Sequence, residues 1–226
     1  MSNSIKDKKV NYNVVEELLS LHYKEVEGEE FYRYIFPNNQ EQGELLGNYS
    51  KPSAVYLYKD PKDEGTGRQL RRRIMLNDTW EEDYRDFVEN NQMTLCSGLS
   101  YRGKTNRLAH AQHMNALVFD LDCVGKDELL TLFLRMGQEP GLRRLPQPTF
   151  LVMSGTGLHI YYVFDKPIEL YPNIKLQLKK LKYDLTFKIW EYKATSQEKQ
   201  IQYQSINQGF RMVGSVNNKY GLKVKN

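Results

Sequence analysis

At 226 residues, 40% hydrophobic and 27% charged, the chain is large enough for one sizeable folded domain, with or without a smaller module beside it. No apolar run approaches the ~20 residues of a membrane span, and the leading Met-Ser-Asn-Ser-Ile-Lys-Asp-Lys-Lys lacks the apolar stretch of a secretory signal. The net charge of +4 is uneven: residues 151–226 hold eleven lysines and one arginine against five acids, a local +7 that favours a polyanionic partner.

Residues 1–10 read as a polar lead. Val14, Val15, Leu18, Leu19 and Tyr23 follow a helical period over 14–34, with a break near Gly28 and Pro37. Residues 37–52 are rich in Asn, Gln, Gly and Pro and read as loop. Strands are predicted at Ala54–Tyr58 and Gln69–Met75, joined by a turn over Pro61–Gly67. Thr79–Asn90 reads as a short helix, with Asp78 or Thr79 near its cap and Glu81 and Glu82 in its first turn. A strand follows at Met93–Cys96. Cys96 and Cys123 are too few and too far apart for a cysteine metal site, and read as reduced thiols of a cytoplasmic protein.

Ala116–Asp122, Ala-Leu-Val-Phe-Asp-Leu-Asp, is an apolar strand that ends in two carboxylates. Alternation puts Leu117, Phe119 and Leu121 on one face and Asp120 and Asp122 on the other, about 7 Å apart at Cα. Like charges this close repel unless a cation sits between them, and hard oxygen ligands suit Mg²⁺ or Mn²⁺. Read alone, the pair is equally two exposed acids where a strand meets a loop. Lys126–Met136 then has helical spacing. Thr149–Met153 and Gly157–Phe164 are strands, joined by Ser154-Gly155-Thr156-Gly157. The glycines permit a tight turn and bring N–H groups close to an anion, Ser154 adds a hydroxyl, and His159 lies on the polar face of the second strand.

Asn173–Lys193 reads as a long amphipathic helix that carries six lysines, either a solvated face or a polyanion contact. Phe210–Val213 is a last short strand. Arg211 faces away from Phe210 and Met212, presenting a fork suited to phosphate, and Lys219 follows after the Gly214-Ser215 turn. Strands and helices alternate in the second half, and short glycine turns point to antiparallel neighbours. This predicts an α+β sheet with helices on one face. Paired acids, then Ser and His, then Arg and Lys make the set that nucleotidyl transfer needs: metal ligands beside phosphate donors.

These three segments resemble the archaeo-eukaryotic primase superfamily, nearest to primase-polymerases of phages, plasmids and other mobile elements. Asp120-Leu-Asp122 is similar to its first motif. Ser154-Gly-Thr-Gly-Leu-His159-Ile-Tyr is similar to its second, where a histidine contacts the triphosphate. Phe210-Arg-Met-Val-Gly-Ser-Val-Asn-Asn-Lys219 is similar to its Arg-x-x-Gly-Ser/Thr-x-Asn-x-Lys segment. The likeness covers about residues 93–221. It implies an RNA-recognition-motif-like catalytic sheet, with an N-terminal α/β module over 1–92 and a primase-polymerase core over 93–226.

It also implies template-dependent synthesis with Mg²⁺ or Mn²⁺. Asp120 and Asp122 are then the metal ligands and, with His159, the catalytic set. Ser154, Gly155, Gly157, His159, Arg211 and Lys219 bind the nucleotide. Partners are a single-stranded DNA template, a primer strand, nucleoside triphosphates and a helicase domain or protein. The loop Tyr101, Arg102, Lys104 and Arg107 is a candidate template contact. Family members often supply a third acid where this chain reads Ile201-Gln-Tyr-Gln-Ser-Ile-Asn-Gln, so Glu198, Gln202 or Gln204 stands in, or two aspartates suffice. The chain's end soon after the third motif suggests a domain excised from a longer replication protein.

Three other classes compete. Val118-Phe-Asp-Leu-Asp-Cys-Val also resembles haloacid-dehalogenase-type phosphatases, in which the first Asp is a nucleophile and the second an acid. Those enzymes need a further acidic pair downstream, and the acids after 151 are isolated. A non-catalytic RNA-recognition-type module leaves the paired aspartates unexplained. A nicking initiator wants a His-x-His pair that His159 lacks.

Overall fold

The structure, a computed structural model, describes residues 12–37, 52–59, 70–75, 79–91, 93–137, 144–217 and 221–225. The helical run over 14–34 is two helices, α1 (Tyr12–His22) and α2 (Gly28–Ile35), parted just before Gly28. Strands β1 (Ser53–Lys59) and β2 (Leu70–Ile74) lie where alternation placed them, while the turn at 61–67 falls outside the described residues. The short helix α3 (Trp80–Asp83) runs into one π-helical turn, Tyr84–Val88. Thr79 occupies the cap position of α3 without a capping hydrogen bond from its side chain.

The centre of the molecule is a seven-stranded sheet. β3 (Leu95–Tyr101), β4 (Ala111–Leu121), β5 (Phe150–Met153) and β6 (Leu158–Glu169) join β1 and β2 in the order β2-β1-β3-β4-β6-β5, every pair antiparallel. β7 (Phe210–Arg211) pairs with β3, and β8 (Val216–Asn217) with β9 (Leu222–Lys223) forms a separate small ribbon. Helices α4 (Lys126–Gly137) and α5 (Pro172–Ile189) complete a mixed α+β fold with a mainly antiparallel sheet. β1 pairs with β3 across the expected boundary at residue 92. No helix among the described residues is long and apolar enough to cross a membrane.

Both faces of the sheet are covered, where the sequence suggested one. Leu117, Phe119, Leu121, Leu158 and Ile160 pack with α1, α4 and α5 through Val15, Leu129, Leu132, Leu178 and Ile189. On the other face Ala116, Val118, Val152 and Tyr161 meet Phe31, Tyr32, Ile35 and Trp80 of α2 and α3. Each large side chain fully buried this way stabilises by ~1.5–3 kcal/mol. The second layer was hidden because α2 and α3 are short, eight and four residues.

β3 runs past the Met93–Cys96 segment predicted. Its Cys-Ser-Gly-Leu-Ser core has no apolar alternation, yet Ser97 and Ser100 are buried. A Cβ at Gly98 would lie 2.2 Å from the carbonyl oxygen of Ala116, so glycine is what lets β3 cross β4 this closely. Beyond that crossing the strands part. β4 pairs with β3 only at Leu99–Tyr101, while Leu95 and Cys96 pair with β7. β7 therefore enters beside the C-terminal end of β4, and the gap between them becomes a cleft.

Candidate active site

The cleft, about 370 Å³, is lined by Asp120, Asp122, Ser154, Thr156, Gly157, His159, Arg211 and Asn217 together with Met93, Leu95 and Gln208–Phe210. It gathers five of the expected side chains, Asp120, Asp122, Ser154, His159 and Arg211, from three separate stretches of chain. Gly155 makes the turn beside them with φ +123°, and Gly157 seats the hairpin against β4. A Cβ at Gly157 would lie 2.7 Å from the Leu121 carbonyl oxygen. Lys219 lies outside the described residues.

The acidic wall is made by backbone ladders. Asp120 of β4 sits directly opposite His159 of β6 in the antiparallel register. His159 Nε2 lies 3.6 Å from Asp120 Oδ1, too far for a hydrogen bond. Burial, aided by the charge of Arg211, pulls the His159 pKa down to about 3, so the imidazole is neutral and no ion pair forms. Burial pushes the Asp120 carboxyl up to about 6 against the opposing pull of Arg211 and Lys182. Asp122 is also raised, by burial first and then by Asp120 and Glu198.

The opposite wall is a coil, 196–209, fastened by side chains. Gln204 accepts a hydrogen bond from Asp120 N at 3.2 Å and donates one to Asp120 O at 3.0 Å. Its amide thus closes the edge of β4 as a neighbouring strand would. Gln202 hydrogen-bonds the Asp122 carboxylate. Ser196 Oγ donates to Asp122 O at 2.6 Å, and Gln197 N to Cys123 O at 3.0 Å, fixing the turn where Cys123 adopts φ +52°. Of the three stand-ins for a third acid, Gln204 is spent on backbone, Gln202 is a neutral partner of Asp122, and Glu198 contributes charge from nearby. Among the described residues no group of three or more His, Cys, Asp or Glu side chains is placed to hold a metal ion.

Arg211 is held from the N-terminal half of the chain. Tyr32 Oη accepts a hydrogen bond from Val213 N at 2.9 Å, and Tyr84 Oη donates one to Val213 O at 3.0 Å. Met212 N donates to Thr94 O, and Asn90 N to Gly214 O.

Sequence reasoning missed Lys182. It is one of the six lysines read as a solvated helix face or a polyanion contact, yet it is 1% exposed. Its Nζ donates to Ser205 O at 2.9 Å and lies 5.1 Å and 6.0 Å from the ring centres of Phe210 and Phe119. Burial lowers its pKa to about 7, opposed by Asp120. The one signal in the sequence was its position: Leu178, Lys182, Thr186 and Ile189 mark the buried stripe of α5.

The loop after β3 is a correction. Tyr101 is wholly buried, its hydroxyl 2.7 Å from Ser97 Oγ, so it has no face for a base to stack on. Arg102, Lys104 and Arg107 are exposed. They flank a segment whose Asn106 carbonyl accepts from Asn207 Nδ2 at 3.1 Å.

Three buried polar atoms in this cleft have no hydrogen-bond partner among the described residues: Asp120 Oδ1, His159 Nδ1 and an Arg211 guanidinium nitrogen, Nη1. Each such atom costs about 1–3 kcal/mol when left unsatisfied. A carboxylate oxygen, a neutral imidazole nitrogen and a guanidinium nitrogen thus lie unpaired on residues that line one cleft.

No protein-family model and no curated protein matches the chain. A similar solved structure is the archaeo-eukaryotic primase (AEP) domain of the cyanophage S-2L primase-polymerase. It has 15% sequence identity and a TM-score of 0.49, over 77% of this chain and 80% of that one.

Proposed function

We propose that the chain is a divalent-metal-dependent nucleotidyltransferase, a primase-polymerase that extends or starts a strand on a single-stranded DNA template. The observation that carries this reading is the convergence of Asp120 Oδ1, His159 Nδ1 and Arg211 Nη1, all buried and unpaired, on one cleft. The motif resemblance supports it, because Asp120, Asp122, Ser154, Gly157, His159 and Arg211, which it names, line this cleft. By the same resemblance, the protein serves replication of a mobile element alongside a helicase.

Asp120 and Asp122 fit Mg²⁺ or Mn²⁺: one buried oxygen is orphaned, and the second carboxylate is raised by the first. Without a third acid, water and phosphate oxygens complete the shell, which Mg²⁺ accepts readily. A metal pair held by Asp120 and Asp122 would supply activation of the primer 3′-hydroxyl and neutralisation of the triphosphate.

The chain's own residues do the rest. Arg211 meets phosphate charge from the far wall. Neutral His159 offers a ring N–H to a phosphate oxygen without bringing a charge that would repel the ions. Ser154 and the Gly155–Gly157 turn add a hydroxyl and closely approaching backbone. Lys219 adds a second cation, and Arg102, Lys104 and Arg107 meet the template. Gln204 and Ser196 keep the two aspartates in register by holding their backbone.

The test is incorporation of labelled nucleotide on a primed single-stranded template. Asp120→Ala with Asp122→Ala abolishes it while the fold survives, and full activity in that variant sinks the assignment. Release of phosphate from a simple phosphomonoester by the wild type, with no polymerisation, transfers the pair to a phosphatase instead.

A further inference from the structure

We infer that Arg71, Arg72 and Lys104 form a track for the phosphate backbone of a single-stranded nucleic acid, running from the edge of the sheet to the aspartate cleft. The inference rests on the function proposed above and names where the polymer lies.

β2 is an edge strand that reads Leu-Arg-Arg-Arg-Ile. Arg71 and Arg72 are exposed, and the loop after β3 brings exposed Lys104 to them. With Tyr58, Leu70 and Arg73 they line an open groove of about 380 Å³ that has no acid among its described lining residues. Arg73 is already engaged by Asp83 and lies over the Phe87 ring, so it braces the strand.

The register ties this groove to the cleft. Arg72 is opposite Leu57, Leu57 is opposite Leu95, and Leu95 is opposite Arg211. Directly paired residues share a face, so these four form one transverse row. Three strand spacings make the row about 14 Å long at Cα. Leu95 and Arg211 line the cleft at one end, Arg72 the groove at the other, and Leu57 and Leu95 between them are only half-buried. At a rise of ~3.4 Å per nucleotide, about four nucleotides span that distance. A nucleoside triphosphate held at Arg211 does not reach Arg72, whereas a strand does.

Charge at an edge also discourages edge-to-edge pairing. That role needs neither a concave groove nor a cation delivered from another loop, and the experiment separates the two. Binding of a fluorescent 12-nucleotide oligothymidylate is followed by anisotropy over a range of salt. Each single-strand phosphate contact contributes about 0.7 to the log–log salt slope, so Arg71→Ala/Arg72→Ala/Lys104→Ala flattens it by about two. Over a tenfold fall in salt the wild type then gains about 100-fold more affinity than the variant. Arg71→Lys with Arg72→Lys keeps most of the slope, because point charge suffices for counterion release. A dinucleotide, too short for the row, binds wild type and triple variant alike.

An unchanged slope overturns the track. An unchanged slope with new self-association on a sizing column assigns the arginines to edge protection instead. A wild type that binds no oligonucleotide removes both the track and the function it rests on. Retained incorporation by Asp120→Ala/Asp122→Ala removes only the function, since oligonucleotide binding does not read those carboxylates.

Discussion

The two walls of the cleft are built by different physics. The acidic wall is regular sheet: Asp120 and His159 face each other because β4 and β6 pair in register over most of their length. The cationic wall is the two-residue strand β7, paired with β3, and the coil around it, so individual side chains carry more of its position. Gln204 and Ser196 tie it to β4, Lys182 holds it from beneath, and Tyr32 and Tyr84 hold Val213 two residues beyond Arg211. A ladder spreads its strength over many backbone bonds, so substitutions on the acidic wall change chemistry and leave geometry intact. On the cationic wall the ladder is only two residues long, so each hydroxyl or amide carries a larger share of the geometry. The difference is testable.

The largest expected effect is on the reacting group of the cationic wall itself. Arg211→Ala removes a charge-assisted contact worth about 1.5–3 kcal/mol, so triphosphate affinity falls roughly 10–100-fold. Nucleotide titration under conditions without turnover measures it. Oligonucleotide binding should be much less affected. Equal losses of nucleotide and template affinity would mean that Arg211 serves the wall's folding rather than the ligand.

Lys182 gives the next effect, and it depends on pH. Its pKa of about 7 in the folded chain lies below the ordinary 10.5 of the unfolded one. Between those values the unfolded chain binds the extra proton, so folding stability rises with pH across pH 7–10.5. The gain is on the order of 1.4 kcal/mol per pH unit at most. Lys182→Met abolishes that rise and leaves Ser205 O without its donor. Denaturation midpoints at pH 7 and pH 8, below the range in which the unfolded Cys96 thiol and the buried tyrosines lose protons that the folded chain keeps, should converge for the variant and separate for the wild type. The raised Asp120 carboxyl does not confuse the reading, because it titrates near pH 6.

The contrast between walls also explains what the sequence disclosed. Asp120, Asp122, Ser154, His159 and Arg211 were legible because each ends or follows an apolar strand, where alternation fixes which side chains face away from the core. The order of the sheet was not legible, because β3 hides its strand in Cys-Ser-Gly-Leu-Ser and β1 joins it from another part of the chain. Gln204 was noticed as a ligand candidate, but its task is to replace a strand neighbour, a role that no local pattern announces. Tyr101 stood beside arginines and so resembled a stacking residue, yet β3 continues to that position and buries it. Lys182 looked like its five neighbours, since charge counting cannot tell a solvated helix face from a buried one.

The smallest effect sharpens the comparison most, because it holds the chemistry constant. Tyr84→Phe and Tyr101→Phe each delete one hydroxyl with a single close partner, Val213 O for one and Ser97 Oγ for the other. Each should cost about 1 kcal/mol of folding stability, read as a shift in denaturation midpoint. Of the two, only Tyr84 fastens the segment just beyond Arg211, so only Tyr84→Phe should weaken nucleotide binding, by several-fold. Tyr101 joins two residues of β3, whose position the ladders to β1 and β4 already secure, and its variant should bind nucleotide as the wild type does. Equal nucleotide affinity in both variants would mean that the cationic wall is as redundantly held as the acidic one.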